Sequence, residues 1–193
     1  MATPDTTQPA RLIGIPSSLL SLAVAVSCLV AVSAARAADT PPLVPEATIA
    51  LPGTSGRIDH LAIDLARKHL LVAELGNGSV DVVDLNAGRV LHRIAGLKEP
   101  QGVVYAASAD RIAVASAGDG TVRLFNADTF VPAGVIPLGD DADNARLSPD
   151  GSDIVIGYGN GGLAVINPPR AAMRSTIPLT AHPEGFQLTP DGQ

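Results

Sequence analysis

The chain has 193 residues, 46% of them apolar and 17% charged, with no Trp, three Phe, two Tyr and one Cys. With so few rings, a packed core has to be built from Val, Ile, Leu and Ala. The formal charge of −6 is spread without Lys/Arg clusters, which speaks against nucleic acid as a partner, and no basic amphipathic segment suits an anionic membrane surface.

In chain order, the first element is a targeting segment. Arg11 precedes an apolar stretch from Leu12 to Val32, broken only by small residues and Pro16, and Ala35-Arg36-Ala37 then offers an A-x-A cleavage site. The stretch also approaches the ~20 residues that span a bilayer, so an uncleaved anchor is the alternative. Cleavage after residue 37 removes Arg11, Arg36 and Asp5, leaving 11 basic against 18 acidic groups, or −7, and also removes Cys28. The mature chain then has neither disulfide nor thiol chemistry. Export to a periplasm or the cell exterior is expected, with no membrane contact for the mature chain. Residues 38–46 contain Pro41, Pro42 and Pro45 and read as an extended linker.

The rest, residues 47–193, is repetitive. Gly76-Asn77-Gly78, Gly118-Asp119-Gly120 and Gly159-Asn160-Gly161 step by 42 and then 41 residues. Each is preceded by an apolar run (Leu70 to Glu74, Arg111 to Ser116, Asp153 to Gly157). Each is followed by an alternating one (Ser79 to Asp84, Thr121 to Asn126, Gly162 to Asn167). Asn-Gly and Asp-Gly accept the positive φ of a tight turn, so each copy predicts a strand-turn-strand unit. Inner strands are expected near Asp59, Gln101, Asp143 and Glu184. Outer strands are expected around Ile94, Ile136 and Ile177, each 16 residues past the last Gly of its turn. The Pro-Asp-Gly turns at Pro149 and Pro190 punctuate the third and fourth units.

Four strands recurring every ~40 residues predict an all-β fold, a β-propeller of four-stranded blades. The repeats run at about 59–100, 101–142, 143–183 and an incomplete 184–193. Ala47 to Leu51 reads as an outer strand that would complete a distant blade. Three blades plus one strand do not close a ring of four to eight. The chain is therefore expected to be part of a longer propeller, or else one arc of an assembled ring.

The run Leu70-Leu71-Val72-Ala73-Glu74, followed by Gly78-Ser79-Val80-Asp81-Val82-Val83-Asp84, resembles the YVTN-type repeat of bacterial surface and periplasmic propellers. The outer strands Ile136-Pro137-Leu138-Gly139 and Ile177-Pro178-Leu179 match as well. Among these, the chain is similar to the YncE-like exported proteins over residues 47–193. It departs from them where Glu74, Ser116 and Gly157 stand in place of the repeat's Asn. The resemblance implies a seven-bladed ring, mostly without assigned activity, with lactonases and quinoprotein-like dehydrogenase components as distant relatives.

In such a ring the loops into the inner strands form one rim of the channel. Asp59, His60, Gln101, Asp143, Asn144 and Glu184 are the candidate ligand-binding residues there, with Glu99, Asp140, Asp141 and His182 on the same loops. Converging carboxylates suit a hard cation or a cationic ligand. Acidic and amide residues at strand starts also satisfy free backbone N–H groups in tight turns, and that alternative stays open.

His60 and His182 lie three blade steps apart, which in a seven-bladed ring puts them on nearly opposite walls. His69 and His92 are expected on the solvated surface. No metal site follows from these spacings. No Gly-x-Ser-x-Gly elbow or nucleotide loop is present, so no catalytic residue and no cofactor are assigned. Gly76, Gly78, Gly118, Gly120, Gly159 and Gly161 are assigned to structural turns.

The function expected is a non-catalytic exported propeller binding a small molecule or protein at its rim. The alternatives are a lactonase-type hydrolase using rim carboxylates with a metal ion, or a component of a periplasmic redox system. Processing is directly testable: mass spectrometry of the native protein is expected to find a mature N-terminus at or near Ala38, whereas an intact Met1 in the membrane fraction would establish the anchor.

Overall fold

The computed structural model describes residues 43–192. The signal segment 1–37, residues 38–42 of the linker and Gln193 lie outside the described residues. Residues 47–193 form one compact unit. It contains twelve strands: β1 (Leu61–Asp64), β2 (His69–Glu74), β3 (Ser79–Asp84), β4 (Arg89–Ala95), β5 (Pro100–Ala106), β6 (Arg111–Ser116), β7 (Thr121–Asn126), β8 (Pro132–Pro137), β9 (Ala142–Leu147), β10 (Ile154–Tyr158), β11 (Gly162–Asn167) and β12 (Ala172–Pro178). They pair as three antiparallel four-stranded meanders, β1 to β4, β5 to β8 and β9 to β12. Each sheet corresponds to one sequence repeat. The fold is all-β, a β-propeller arrangement of four-stranded blades.

Alternation along the strands decides what each face buries. In the middle sheet, Val103, Ile112, Val114 and Phe125 pack with Leu71, Ala73, Val80, Val82 and Ile94 of the first. The intervening Val104, Ala113, Ala115, Val122 and Leu124 pack with Ala145, Ile154, Ile156, Ala164 and Ile166 of the third. Side chains on a strand point alternately to opposite faces, so the middle blade is apolar on both. Its strands therefore read as nearly continuous apolar runs.

Two kinds of irregularity repeat with the sequence period. The third and fourth strands slip register at Val82/Val83, Leu124/Phe125 and Val165/Ile166, and such bulges increase strand twist. The second kind lies at the start of each inner strand. Asp59 N–H donates to the Ala73 carbonyl and Ala73 N–H to the His60 carbonyl, at 2.9 and 3.0 Å, so two residues face one. The same two-to-one shift falls between Pro100 and Val103 in β5, and opposite Gly157 in β9.

The first repeat carries a buried polar network in place of the departed repeat Asn. Glu74, with no exposed surface, accepts hydrogen bonds from Ser79 Oγ at 2.6 Å, from Asn77 Nδ2 at 3.2 Å and from the Thr54 hydroxyl. Arg93 reaches Asp81 through Nε and Nη2 at 2.6 and 2.7 Å and the Pro52 carbonyl at 3.1 Å. Burial pulls the Glu74 carboxyl upward, but the Ser79, Thr54 and Asn77 hydrogen bonds and the Arg93 charge outweigh it and hold it below the ordinary carboxyl range. The network fastens residues 52–54 to the first blade.

Three expectations change here. Ala47–Leu51 forms no strand; it runs into a turn closed by Thr54 N–H to the Leu51 carbonyl. The segment from Glu184 also forms no strand, having no partner strand among the described residues. The Gly-Asn/Asp-Gly turns are wider than tight two-residue hairpins. Leu75–Asn77 and Ala117–Asp119 each make a 3-10 turn, and Gly78 and Gly120 close it at φ 66° and 57°. In the third loop Gly159 and Gly161 carry the positive φ, while Gly76 and Gly118 are not left-handed.

Gly120 combines its left-handed φ with contact: an added Cβ would meet Asp140 N at 2.4 Å. Gly120→Val is therefore expected to destabilise the fold by about 1 kcal/mol or more, measured as a lowered urea midpoint. An unchanged midpoint would sink this turn assignment.

Candidate functional site

The inner-strand bulges build the rim. A bulge leaves two consecutive residues opposite one and re-aims a side chain. The pairs so placed are Asp59-His60, Gln101-Gly102 and Asp143-Asn144. Gly102 in the middle is what brings the outer two pairs together. A Cβ there would fall 2.1 Å from the Asp143 carbonyl oxygen, so only a glycine lets β5 and β9 approach this closely.

Across that gap His60 meets Asn144, with Nε2 3.1 Å from Asn144 Nδ2. The amide orientation follows from its second contact, in which Asn144 Nδ2 donates to the Glu184 carbonyl at 3.1 Å. A carbonyl only accepts, so the nitrogen must stand there, and His60 Nε2 accepts in turn. That leaves the proton of neutral His60 on Nδ1, 2.9 Å from Asp59 Oδ1. The oxygen lies off the N–H direction, since Nδ1 makes no hydrogen bond. Arg57 completes this side, pairing with Asp59 and donating to Gln101 Oε1 at 3.1 Å.

Asp143 lies at the centre with 6% of its surface exposed. Its Oδ1, like Asn144 Oδ1, is buried without a hydrogen-bond partner. Burial, the largest influence, pushes the Asp143 carboxyl above its ordinary range. Attraction to His60 and His182 and repulsion from Asp59 and Asp141 act in opposite directions.

His182 stands on the other side, its Nδ1 on the Gly159 carbonyl and its Nε2 3.7 Å from Asp143 Oδ2. The Gly159 carbonyl raises the imidazole above its ordinary value against the pull of burial, with Asp141, Glu184 and Asp143 adding. Ligand atoms of Asp143, His182 and Glu184 lie within 4.8 Å of one another.

The structure thus brings together all six sequence-designated rim residues. It also corrects the placing of the histidines. His60 and His182 were expected on nearly opposite walls, but they reach adjacent residues, His60 Nε2 lying 3.1 Å from Asn144 Nδ2 and His182 Nε2 3.7 Å from Asp143 Oδ2, because the bulges and Gly102 turn the inner-strand starts toward one point. His92 is exposed, as expected, and stacks on Phe130 with ring centroids 4.5 Å apart. Arg57 and the pairing of His182 with Asp143 were missed by the sequence reading. The 42-residue step locates strand starts, not the loop residues that fold back onto them.

Two clefts lie elsewhere, one against Asn167, Arg170 and Met173 and one between Ser148–Asp153 and Pro190–Gly192. The rim is the stronger candidate, because side chains of all three repeats and of the segment after β12 converge there.

No known protein family matches the chain, and no curated protein does. Among solved structures the fold is similar to hydrazine synthase of Kuenenia stuttgartiensis. The TM-score is 0.64 at 19% identity, over 74% of this chain and 43% of that one. The chain spans less than half of that relative's length, and at this identity the likeness is one of fold.

A buried carboxylate oxygen without a hydrogen-bond partner costs folding free energy. Asp143→Asn is therefore expected to raise stability by about 1 kcal/mol at neutral pH in chelator-containing buffer, read from urea unfolding. A loss of stability would show that the protein itself satisfies the carboxylate.

Proposed function

We propose that this chain is a binding module, a propeller segment whose rim takes a positively charged small molecule or protein side chain. The observation that carries this reading is the pair of buried, unpartnered acceptors, Asp143 Oδ1 and Asn144 Oδ1, at the point where the repeats converge. Native interiors rarely leave such atoms unsatisfied, and a bound ion is one of the reasons when they do. Asp59, Asp141 and Glu184 gather around Asp143 against the single arginine Arg57, so the carboxylates favour a cation.

The repeat resemblance and the N-terminal segment support assigning the chain to exported, YncE-like propellers of the periplasm or cell exterior. A metal-assisted hydrolase is the second reading, favoured by the histidine and carboxylates gathered at one point.

Spermidine is a suitable probe of the rim. In chelator-containing buffer it is expected to shift the NMR signals of Asp59, His60, Gln101, Asp143 and Asn144 together, and Gln101→Ala is expected to weaken the effect. Shifts scattered over the surface, or none, would overturn the rim reading.

A further inference from the structure

We propose that Asp143, His182 and Glu184 form a binding site for one divalent transition-metal ion of the zinc class. The inference deepens the rim-binding reading and rests on it. The donor set is one imidazole and two carboxylates. These are borderline and hard ligands that suit zinc or manganese better than a purely hard cation.

Spacing alone would not distinguish the group from an ordinary acidic cluster. The independent observation is Asp143 itself, 6% exposed, with Oδ1 buried and without a hydrogen-bond partner while Oδ2 lies 3.7 Å from Nε2 of His182. A folded chain that buries a carboxylate without a donor leaves room for a cation to supply the missing interaction.

The surroundings of the ligands fit the same role. His182 carries its ring proton on Nδ1, because that atom faces the Gly159 carbonyl, which can only accept. The Nε2 lone pair of the neutral ring is thereby directed toward Asp143 Oδ2, 3.7 Å away. A metal-binding imidazole characteristically donates its other N–H to a carbonyl or carboxylate in this way.

Glu184 is placed through its backbone, whose carbonyl accepts from Asn144 Nδ2 at 3.1 Å. Pro183 between the two ligands is buried and packs where Gly157 has no side chain. A Cβ on Gly157 would approach Pro183 Cγ to 2.9 Å. The loop holding two ligands is therefore seated against the strand pair holding the third.

Ligands at the usual zinc distances stand about 3.3 Å from one another. The His182–Asp143 pair at 3.7 Å is close to this. The larger spread, up to 4.8 Å, closes by rotation of the exposed Glu184 side chain.

The test uses the full chain. Zn2+ binding is measured by competition with a chromophoric chelator, and Co2+ by its visible absorption. One ion per chain is expected, with affinity falling at least tenfold in His182→Ala, Asp143→Asn and Glu184→Gln and unchanged in Asp128→Asn. Cobalt absorption is expected to change with His182→Ala. Circular dichroism melts check that each variant folds. Glu184→Gln alters only an exposed side chain, so the result stands even if Asp143→Asn misfolds.

Absence of Zn2+ binding would overturn the site. So would binding indifferent to His182 and Glu184, or Ca2+ held as tightly as Zn2+ without regard to His182. The spermidine titration in chelator separates the two levels. If it succeeds while Zn2+ fails, only the metal site falls; if both fail, the rim reading falls with it.

Discussion

Everything at the rim depends on one backbone device, the bulge that opens each inner strand. A regular ladder would place Asp59 and His60, or Asp143 and Asn144, on opposite faces of their sheets. One extra residue opposite Ala73, and again opposite Gly157, breaks that alternation. Both members of a pair can then take part in one cluster. The middle repeat contributes by omission, since Gly102 lets neighbouring strands close in.

The remainder of the unit makes such irregularity tolerable. Burying a Val, Ile or Leu side chain stabilises by about 1.5–3 kcal/mol, and the middle sheet buries such residues on both faces. The ladders below the rim are thereby fixed in register. At the other end, Arg67 joins the first two repeats by donating to Asp64 Oδ2 at 2.8 Å and to Tyr105 Oη and Asp110 Oδ2 at 3.0 Å. The Glu74–Arg93–Asp81 network does similar work for the residues before β1. It differs from the rim in a telling way: its carboxylates are met by donors on every side, whereas Asp143 is left short of one. The first arrangement is that of a structural anchor; the second is the basis of the proposed site.

The blade count, the strand order and the position of each turn were legible in the sequence. They follow from local chemistry repeated at a fixed interval: apolar alternation, glycine at turn ends, and proline before Asp-Gly. Even the rim residues could be marked, because equivalent positions of a repeat must occupy equivalent places in the fold. Ala47–Leu51 and the residues from Glu184 show where local pattern stops being sufficient. Both have strand-like composition, but a strand exists only when another strand satisfies its backbone, and a partner is a property of the tertiary structure.

Sequence by itself therefore determined the periodic part of this protein. Tertiary structure decided which side chains meet. Whether His60 and His182 reach the adjacent Asn144 and Asp143 depends on bulge geometry and on an approach at Gly102 so close that a Cβ would fall 2.1 Å from the Asp143 carbonyl oxygen. Whether Asp143 is satisfied depends on which donors the neighbouring loops bring within reach. Neither quantity is written in any local stretch of residues, because each is set by distances between segments some 40 to 80 positions apart.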